Sequence, residues 1–176
     1  DTGDAHNGVT VQIKHIESGE VQTAKTKIGG VAVFDQLQPG GWEVRELAGI
    51  SGWIADTDTV QTVSVVAGKT SDATIINKEL PGLRIIKYER GTMKAMPNVS
   101  FEIFRDAESL GIFQTDEFGE ILLTDCTPAT YRAEERDTGG DGHVLDTTPQ
   151  EVELKAGDGI KKLVFFNDRL PGIHLI

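Results

Sequence analysis

The chain has 176 residues, which is enough for one medium-sized domain or two small ones. Its formal net charge is −11 and both halves are acidic, so the composition argues against binding to nucleic acid or to anionic lipid. No apolar run approaches the ~20 residues that a membrane-spanning helix requires, and the single cysteine cannot form an internal disulfide.

The first half of the chain has the pattern of short strands. Apolar and polar residues alternate in VTVQI (residues 9–13) and in WEVRE (42–46), which is the period of a half-buried strand. The turn signals ESGE (17–20) and QPGG (38–41) lie between such runs. A later apolar run, TIIN (74–77), ends on an asparagine shortly before Leu-Pro-Gly. No stretch keeps a helical period for long.

The second half repeats the first at an interval of about 90 residues. The matching pairs, in chain order, are NGVTVQI (7–13) with PNVSFEI (97–103), GGVAVFD (29–35) with GEILLTD (119–125), LQPGGWEVRE (37–46) with CTPATYRAEE (126–135), and TIINKELPG (74–82) with VFFNDRLPG (164–172). Such a repeat indicates two similar domains in tandem. Several short strands in each copy fit a small β-sandwich, so we expect an all-β protein.

The two copies are not equally complete. The second begins with LRIIK (83–87), which has no counterpart in the first, and the tail LPGIHLI (170–176) matches LPGLRII (80–86). We therefore predict an N-terminally incomplete domain at 1–79, a complete domain at 80–169, and a linker with the first strand of a third repeat at 170–176. On this interpretation the sequence is a window on a longer array.

Without this strand, the first copy would have an open sheet edge and a partly unfilled core. The homologous tail strand of a neighbouring molecule, residues 171–176, is one candidate to dock there by strand addition, which would give head-to-tail oligomers. The simpler alternative is truncation or disorder of the N-terminus. A monomer mass that does not change with concentration would exclude the strand exchange.

Three polar residues continue apolar stripes on predicted strands, whose alternate residues share one face. The stripes, each with its polar residue last, are Leu83, Ile85 and Lys87; Tyr131, Ala133 and Glu135; and Leu163, Phe165 and Asn167. The first copy repeats two of them, with Glu46 and Asn77 in the polar positions. Because a buried charge or amide is costly without a partner, these groups are expected to meet in the core.

Contact between a buried lysine, a glutamate and an asparagine would allow a specific reaction. Burial lowers the pKa of a lysine amine and raises the pKa of a carboxyl, so the amine becomes a neutral nucleophile and the carboxyl a proton donor. The acid would polarise the asparagine carbonyl and carry protons. Attack of the amine on the amide carbon would release ammonia and leave a Lys–Asn isopeptide bond, aided by enforced proximity. The alternative is a buried salt bridge beside an amide.

Three features resemble CnaB-type domains, the prealbumin-like, SpaA-like pilin domains of Gram-positive surface proteins. They are the lysine of LRIIK, the strands PGGWEVRE (39–46) and PATYRAEE (128–135), and the asparagines before Leu-Pro-Gly. The resemblance covers nearly the whole chain. It implies two tandem immunoglobulin-like or prealbumin-like β-sandwiches, the first without its first strand.

The resemblance also implies roles for individual residues. Lys87 and Asn167 would form an autocatalytic isopeptide bond, with Glu135 as the proton shuttle. In the first copy only Glu46 and Asn77 match, so Glu46 is expected to be idle and Asn77 to be an orphan partner unless a lysine strand arrives from elsewhere.

Other residues compete for these roles. Lys14 follows VTVQI, but it faces away from the apolar stripe of that strand and aligns with a phenylalanine, so we reject it as the missing lysine. Glu134 is the rival acid, although it falls on the opposite face from Glu135. Cys126 is expected to be a small core residue, and Trp53 is an open candidate for a sugar-binding platform. The four histidines have no metal-ligand spacing, so no metal and no cofactor are expected.

These observations lead to a structural interpretation. We expect a stalk segment of a Gram-positive cell-surface adhesin or pilin-like protein, extracellular and anchored to the cell wall, with neighbouring repeats of the same chain as its partners. The alternative is an adhesin module that binds a host protein or glycan. No catalytic motif supports an enzyme with turnover, because Glu135 would act in one internal reaction only. Nucleic acid and membrane insertion are not expected.

Overall fold

The structure is a computed structural model that describes residues 5–140 and 142–173. The chain divides into two compact units, Asp1–Glu79 and Leu80–Ile176, called units 1 and 2 below. All regular elements in the described residues are strands, so none of these residues belongs to a helix that could cross a membrane. The predicted all-β class is confirmed. The strand predicted at the tail falls partly on residues 174–176, which lie outside the described residues.

The described residues of unit 1 form six strands. They are β1 (Thr10–His15), β2 (Val21–Lys25), β3 (Gly40–Ala48), β4 (Trp53–Ile54), β5 (Val60–Val65) and β6 (Lys78–Glu79). An antiparallel sheet has the order β2-β1-β3-β5, and β4 pairs with β6 in a small second sheet. The alternation of the sequence places Val11 and Ile13 of β1 and Trp42 and Val44 of β3 on one buried face, which forms the core of the unit.

Within residues 80–140 and 142–173, unit 2 has seven strands. They are β7 (Gly82–Glu89), β8 (Ser100–Arg105), β9 (Glu108–Gln114), β10 (Glu120–Leu123), β11 (Ala129–Asp137), β12 (Gln150–Leu154) and β13 (Ile160–Asn167). A four-stranded sheet has the order β12-β11-β8-β9, and a three-stranded sheet has the order β10-β7-β13. The core lies between these sheets and combines side chains from both, as a sandwich requires.

The first and last strands of unit 2 are neighbours. β7 runs parallel to β13 and antiparallel to β10, with Lys87 opposite Phe165 in the parallel register. Parallel strands need a long connection, and here the rest of the domain provides it. Because β7 lies in the middle of its sheet, it is buried along most of its length, whereas β11 alternates between buried and partly exposed residues.

The three-stranded sheet of unit 2 has no counterpart in the part of unit 1 that the structure describes. The residues that align with β10 form only an isolated bridge at Val31, and the segment that aligns with the end of β13, residues 74–77, is not a strand. The strand that would join them, the equivalent of β7, has no matching sequence in that unit. The predicted fold, two β-sandwiches of which the first lacks its first strand, is therefore confirmed.

Candidate functional site

The structure brings Lys87, Glu135 and Asn167 together in the core of unit 2. They come from β7, β11 and β13, and their exposed fractions are 0%, 0% and 1%. Lys87 and Asn167 lie on neighbouring parallel strands and point to the same side, while Glu135 reaches them from the facing sheet. The polar ends of three apolar stripes thus converge at one point between the sheets.

The three side chains form a closed set of hydrogen bonds. The Lys87 Nζ donates to Glu135 Oε2 at 2.7 Å and to Asn167 Oδ1 at 2.6 Å. The Asn167 Nδ2 donates to the other carboxylate oxygen, Glu135 Oε1. The acid therefore contacts the amine through one oxygen and the amide nitrogen through the other. This differs from the expectation that it contacts the amide carbonyl, and it places the acid beside the group that would leave.

The surroundings of the amine are apolar. The rings of Phe101 and Phe165 pack against each other at 4.8 Å, and the Lys87 Nζ lies 5.9 and 6.0 Å from their centroids. Burial lowers the pKa of Lys87 below its usual value, and the hydrogen bond and negative charge of Glu135 oppose this only in part. A larger fraction of neutral amine is therefore present here than on an exposed lysine.

The backbone around Lys87 depends on a glycine in the turn before β10. The Lys87 N–H donates to the Gly119 carbonyl at 2.8 Å, and the Lys87 carbonyl accepts from the Met96 N–H at 3.0 Å. Gly119 has a φ of +73°, and a Cβ at this position would lie 2.7 Å from the Lys87 carbonyl oxygen. Only glycine suits both the left-handed conformation and the close approach.

A second, incomplete set lies in unit 1. Glu46 of β3 is 1% exposed and Asn77 is 9% exposed, and the Asn77 Nδ2 donates to Glu46 Oε1 at 3.0 Å. The backbone N–H of Asp56 is directed at Glu46 Oε2 at 3.2 Å and at Asn77 Oδ1 at 3.4 Å. This N–H occupies the role that the lysine amine has in unit 2. Lys14, the rejected candidate, is exposed on β1.

The remaining candidates lie apart from both sets. Glu134 forms ion pairs with Arg132 and Arg136, away from the buried amine. Cys126 lies in the core of unit 2, where burial raises the pKa of its thiol. Trp53 is half-buried and stacks on a histidine. Within the described residues, no three His, Cys, Asp or Glu side chains are grouped closely enough to hold a metal ion.

Sequence reasoning missed one buried charged cluster, at the end of β7. Glu89 is 3% exposed and accepts hydrogen bonds from Arg169 Nε at 2.7 Å, His143 Nε2 at 3.0 Å and Thr92 Oγ1 at 2.8 Å. These donors, Arg169 foremost, lower the pKa of Glu89 to about 2. The signal in the sequence was that Glu89 follows Lys87 by two residues and so shares its buried face.

Comparisons with known proteins agree with this fold. The sequence profile of the SpaA prealbumin-like fold domain matches residues 1–79 and again residues 81–169. A comparison with curated protein sequences found no match.

Among solved structures, the Bacillus anthracis TIE protein is similar with a TM-score of 0.51 and 20% identity, over 97% of this chain and 32% of that one. The chain therefore spans about a third of the length of that protein. The minor pilin of Streptococcus agalactiae gives a TM-score of 0.46 and 16% identity, over 98% of this chain and 87% of the pilin. The shaft pilin SpaA of Lactobacillus rhamnosus GG gives 0.46 and 14%, over 96% and 90%.

The two profile matches together cover almost all of the sequence, and each falls on one of the compact units. The chain belongs to the family of SpaA prealbumin-like fold domains and contains two of them in tandem.

Proposed function

We propose that the chain is a structural stalk segment of a Gram-positive surface adhesin or pilin-like protein, stabilised by an isopeptide bond between Lys87 and Asn167. The observation that carries the proposal is the closed contact of Lys87, Glu135 and Asn167 in an apolar core. Family membership supports the same role. The proposed localisation is extracellular, in a protein anchored to the cell wall. The proposed partners are neighbouring repeats of the same chain.

The reaction balances with these three groups alone. Glu135 Oε2 accepts a proton from the Lys87 amine, and the neutral Nζ attacks Cγ of Asn167. The bond between Nζ and Cγ forms while the bond between Cγ and Nδ2 breaks. Glu135, in contact with Nδ2 through Oε1, delivers the proton with which the nitrogen leaves as ammonia, and it takes up the second proton of Nζ. Glu135 then carries one proton, and its transfer to the released ammonia, which departs as ammonium, restores the carboxylate. The step happens once per molecule.

The position of the bond suits a domain that carries mechanical load. It would join the first and last strands of unit 2 across a sequence separation of 80 residues. By analogy with a disulfide, closing a loop of that size stabilises the fold by ~4–5 kcal/mol. An amide bond is insensitive to reductants, which matters in a chain with one cysteine. In this proposal the acid serves one internal reaction, so no enzymatic turnover is expected.

A ligand-binding adhesin module is the second candidate function. An exposed aromatic surface around Trp53 would favour it. Trp53 is instead half-buried, and its ring lies 4.0 Å from the ring of His6. This contact supports a packing role for Trp53 and therefore favours the stalk.

The mass of the denatured chain tests the proposal. The expected result is a mass lower than the sequence mass by one ammonia, with a cross-linked peptide that joins Lys87 to Asn167. The control variant Asn167→Ala should have the full mass of its sequence. A chain with no mass deficit would leave the three residues as a buried polar cluster and contradict the proposal.

A further inference from the structure

An ion pair between Glu89 and Arg169 lies one side-chain repeat beyond the reactive lysine and asparagine. Glu89 follows Lys87 by two residues on β7, and Arg169 follows Asn167 by two residues beyond the end of β13. The Arg169 Nε donates to Glu89 at 2.7 Å, and the Lys87 Nζ donates to Asn167 at 2.6 Å. Each contact joins residues that are 80 positions apart. The ion pair therefore connects the same two chain segments as the reactive pair, with the same offset.

Three further chain segments meet at the buried Glu89 carboxylate. Besides the arginine, Oε2 accepts from His143, which precedes β12, and Oε1 accepts from Thr92, in the turn after β7. The backbone of residues 142–144 pairs with that of residues 168–170 through hydrogen bonds of 2.9 and 2.8 Å. Glu89 thus holds the chain where it leaves β13, directly beside the reactive amide.

The register of β13 against β7 decides whether the reactive groups can meet. Side chains on one face of a strand repeat every two residues, so a slip that keeps the same face buried moves β13 by two residues, or ~6–7 Å. Asn167 would then lie out of reach of the Lys87 amine. Such a slip replaces one large apolar side chain of the buried stripe by another, so the apolar residues alone specify the register weakly.

The ion pair makes slips in both directions unfavourable. In one direction Arg169 would take the place of Asn167 beside the Lys87 amine, and two cations would meet in an apolar core. In the other direction Asn167 would take the place of Arg169, and the buried Glu89 would lose its charged partner. A buried charge without a partner is costly. The register that satisfies Glu89 is therefore the one in which the amine contacts the amide.

The arginine is not a general feature of the repeat. Position 169 of the second copy aligns with Glu79 of the first, which has the opposite charge. The arginine thus occurs in the copy whose lysine, glutamate and asparagine are all in contact.

We propose that Glu89 is a positioning residue for the Lys87–Asn167 bond and holds β7 and the end of β13 in the reactive register before that bond exists. Its hydrogen bonds go to residues outside the reacting set, so it would align the groups without transferring protons. Alignment matters because a displacement of about 1 Å costs on the order of 10²-fold in rate. The inference rests on the proposed function, since it concerns the same reaction.

The rate of ammonia loss from newly made chain tests this role. Chain made by cell-free translation starts without the bond, and samples quenched in denaturant at intervals are measured by mass spectrometry. Glu89→Gln and Arg169→Gln should each slow the loss of ammonia by about 10–100-fold. Arg169→Lys keeps a cation within reach of Glu89 and should restore most of the rate. Asp168→Asn removes only an ion pair with Arg90 in which both side chains are more than half exposed, and should react like the unaltered chain.

Two further variants separate positioning from a loss of stability, with rates compared only for chains that circular dichroism shows to be folded. The double variant Glu89→Gln/Arg169→Gln should react no more slowly than the slower single variant, because both changes remove one contact. Val152→Ala removes apolar packing from β12, in the other sheet. It should lower the stability of unit 2 without slowing the loss of ammonia from folded chain.

Several outcomes would overturn the proposal. One is loss of ammonia at the unaltered rate in both Glu89→Gln and Arg169→Gln. Another is an equal slowing in Val152→Ala, which would reduce the effect to stability, and a third is slowing that multiplies in the double variant. An unaltered chain without a mass deficit would reject the proposed function and this inference with it. A deficit that forms equally fast in all of these variants would reject the positioning role alone.

Discussion

At the scale of single residues, the cost of burying Lys87 is offset by contacts that the proposed reaction would use. A lysine with no exposed surface is unfavourable unless its charge is paired or removed. Here its amine donates hydrogen bonds to a carboxylate oxygen of Glu135 and to the amide oxygen of Asn167. The other carboxylate oxygen of Glu135 accepts from the amide nitrogen of Asn167. A salt bridge alone would not need the amide. In the proposed reaction, the contact of Glu135 with Asn167 Nδ2 would give the carboxylate and the asparagine a joint role.

The role of Glu135 can be tested with its neighbour as the control. Glu135→Gln keeps the shape and burial of the side chain but removes the proton acceptor, so formation of the Lys87–Asn167 bond should slow by ~10²–10⁴-fold. The measurement is the fraction of refolded chain that loses ammonia with time. Glu134→Gln, which removes an acid paired with surface arginines, should react like the unaltered chain. Equal rates for both variants would remove Glu135 from the mechanism.

Glu89 gives unit 2 a distinct response to acid. Its pKa is about 2 in the folded unit, against an ordinary value of 4.5, because Arg169, His143 and Thr92 donate to the carboxylate. A lowered folded pKa contributes stability that is present above the ordinary pKa and is lost as the pH falls through the folded one. Unit 2 should therefore lose stability between about pH 4.5 and pH 2.

Denaturant titrations over that pH range check this expectation. Glu89→Gln should be less stable than the unaltered chain at neutral pH and should lose less on acidification. Glu108→Gln, an exposed acid of β9 whose one ion pair is with Arg105 on the surface, is the matched control and should follow the unaltered chain. An identical acid dependence for Glu89→Gln would show that another carboxylate dominates.

At the scale of elements, alternation predicted the buried faces of strands that are covered on one side only. Trp42, Val44 and Glu46 of β3 and Tyr131, Ala133 and Glu135 of β11 were placed correctly by period 2, since their other face meets solvent. β7 is buried on both faces, so its position at the centre of a sheet and its parallel register followed from the structure alone. The short pair β4 and β6 carries no periodic signal.

Two features of the sites were beyond sequence reasoning for physical reasons. The Asp56 N–H that meets Glu46 and Asn77 is a backbone group, and any residue type provides one. The donors to Glu89 include His143 and Arg169, which lie in segments outside the strands and have no face that a pattern could reveal. Contacts made by turns depend on the path of the chain rather than on periodicity.

The turn before β10 gives a test at this scale. Gly119→Ala requires a left-handed alanine, and its Cβ would lie 2.7 Å from the Lys87 carbonyl oxygen, so the backbone at Lys87 must shift. Unit 2 should lose ~1–3 kcal/mol of stability, and bond formation should slow because the amine is displaced. The measurements are denaturant unfolding and the rate of ammonia loss.

The variant Gly157→Ala separates the cost of a left-handed alanine from the effect of displacing the Lys87 backbone. Gly157 has a similar φ of +81°, but nothing lies within 4 Å of an added Cβ. It should therefore show the cost of the left-handed conformation, about 1 kcal/mol, with an unchanged rate of bond formation. A normal rate for Gly119→Ala would show that the turn does not position Lys87.

At the scale of the whole molecule, each unit is expected to respond differently to tension. In unit 2, force enters at the start of β7 and leaves after β13, and these strands are parallel neighbours. A bond from Lys87 to Asn167 would carry the load from one strand to the other through covalent bonds. Unit 1 lacks this connection in its described residues, so its strands are held by hydrogen bonds and packing only.

Single-molecule stretching between the chain ends measures this difference. With the bond in place, the residues between Lys87 and Asn167 cannot extend. Asn167→Ala should release them, and a separation of 80 residues adds roughly 260–290 Å to the stretched length. Asn77→Ala changes the matching amide in unit 1, which has no hydrogen bond from a lysine among the described residues, so the stretched length should stay as in the unaltered chain. Reductant should change none of these lengths. An unaltered chain that extends as far as Asn167→Ala would show that the load passes through the hydrogen-bonded sheet and that no covalent bond joins the first and last strands of unit 2.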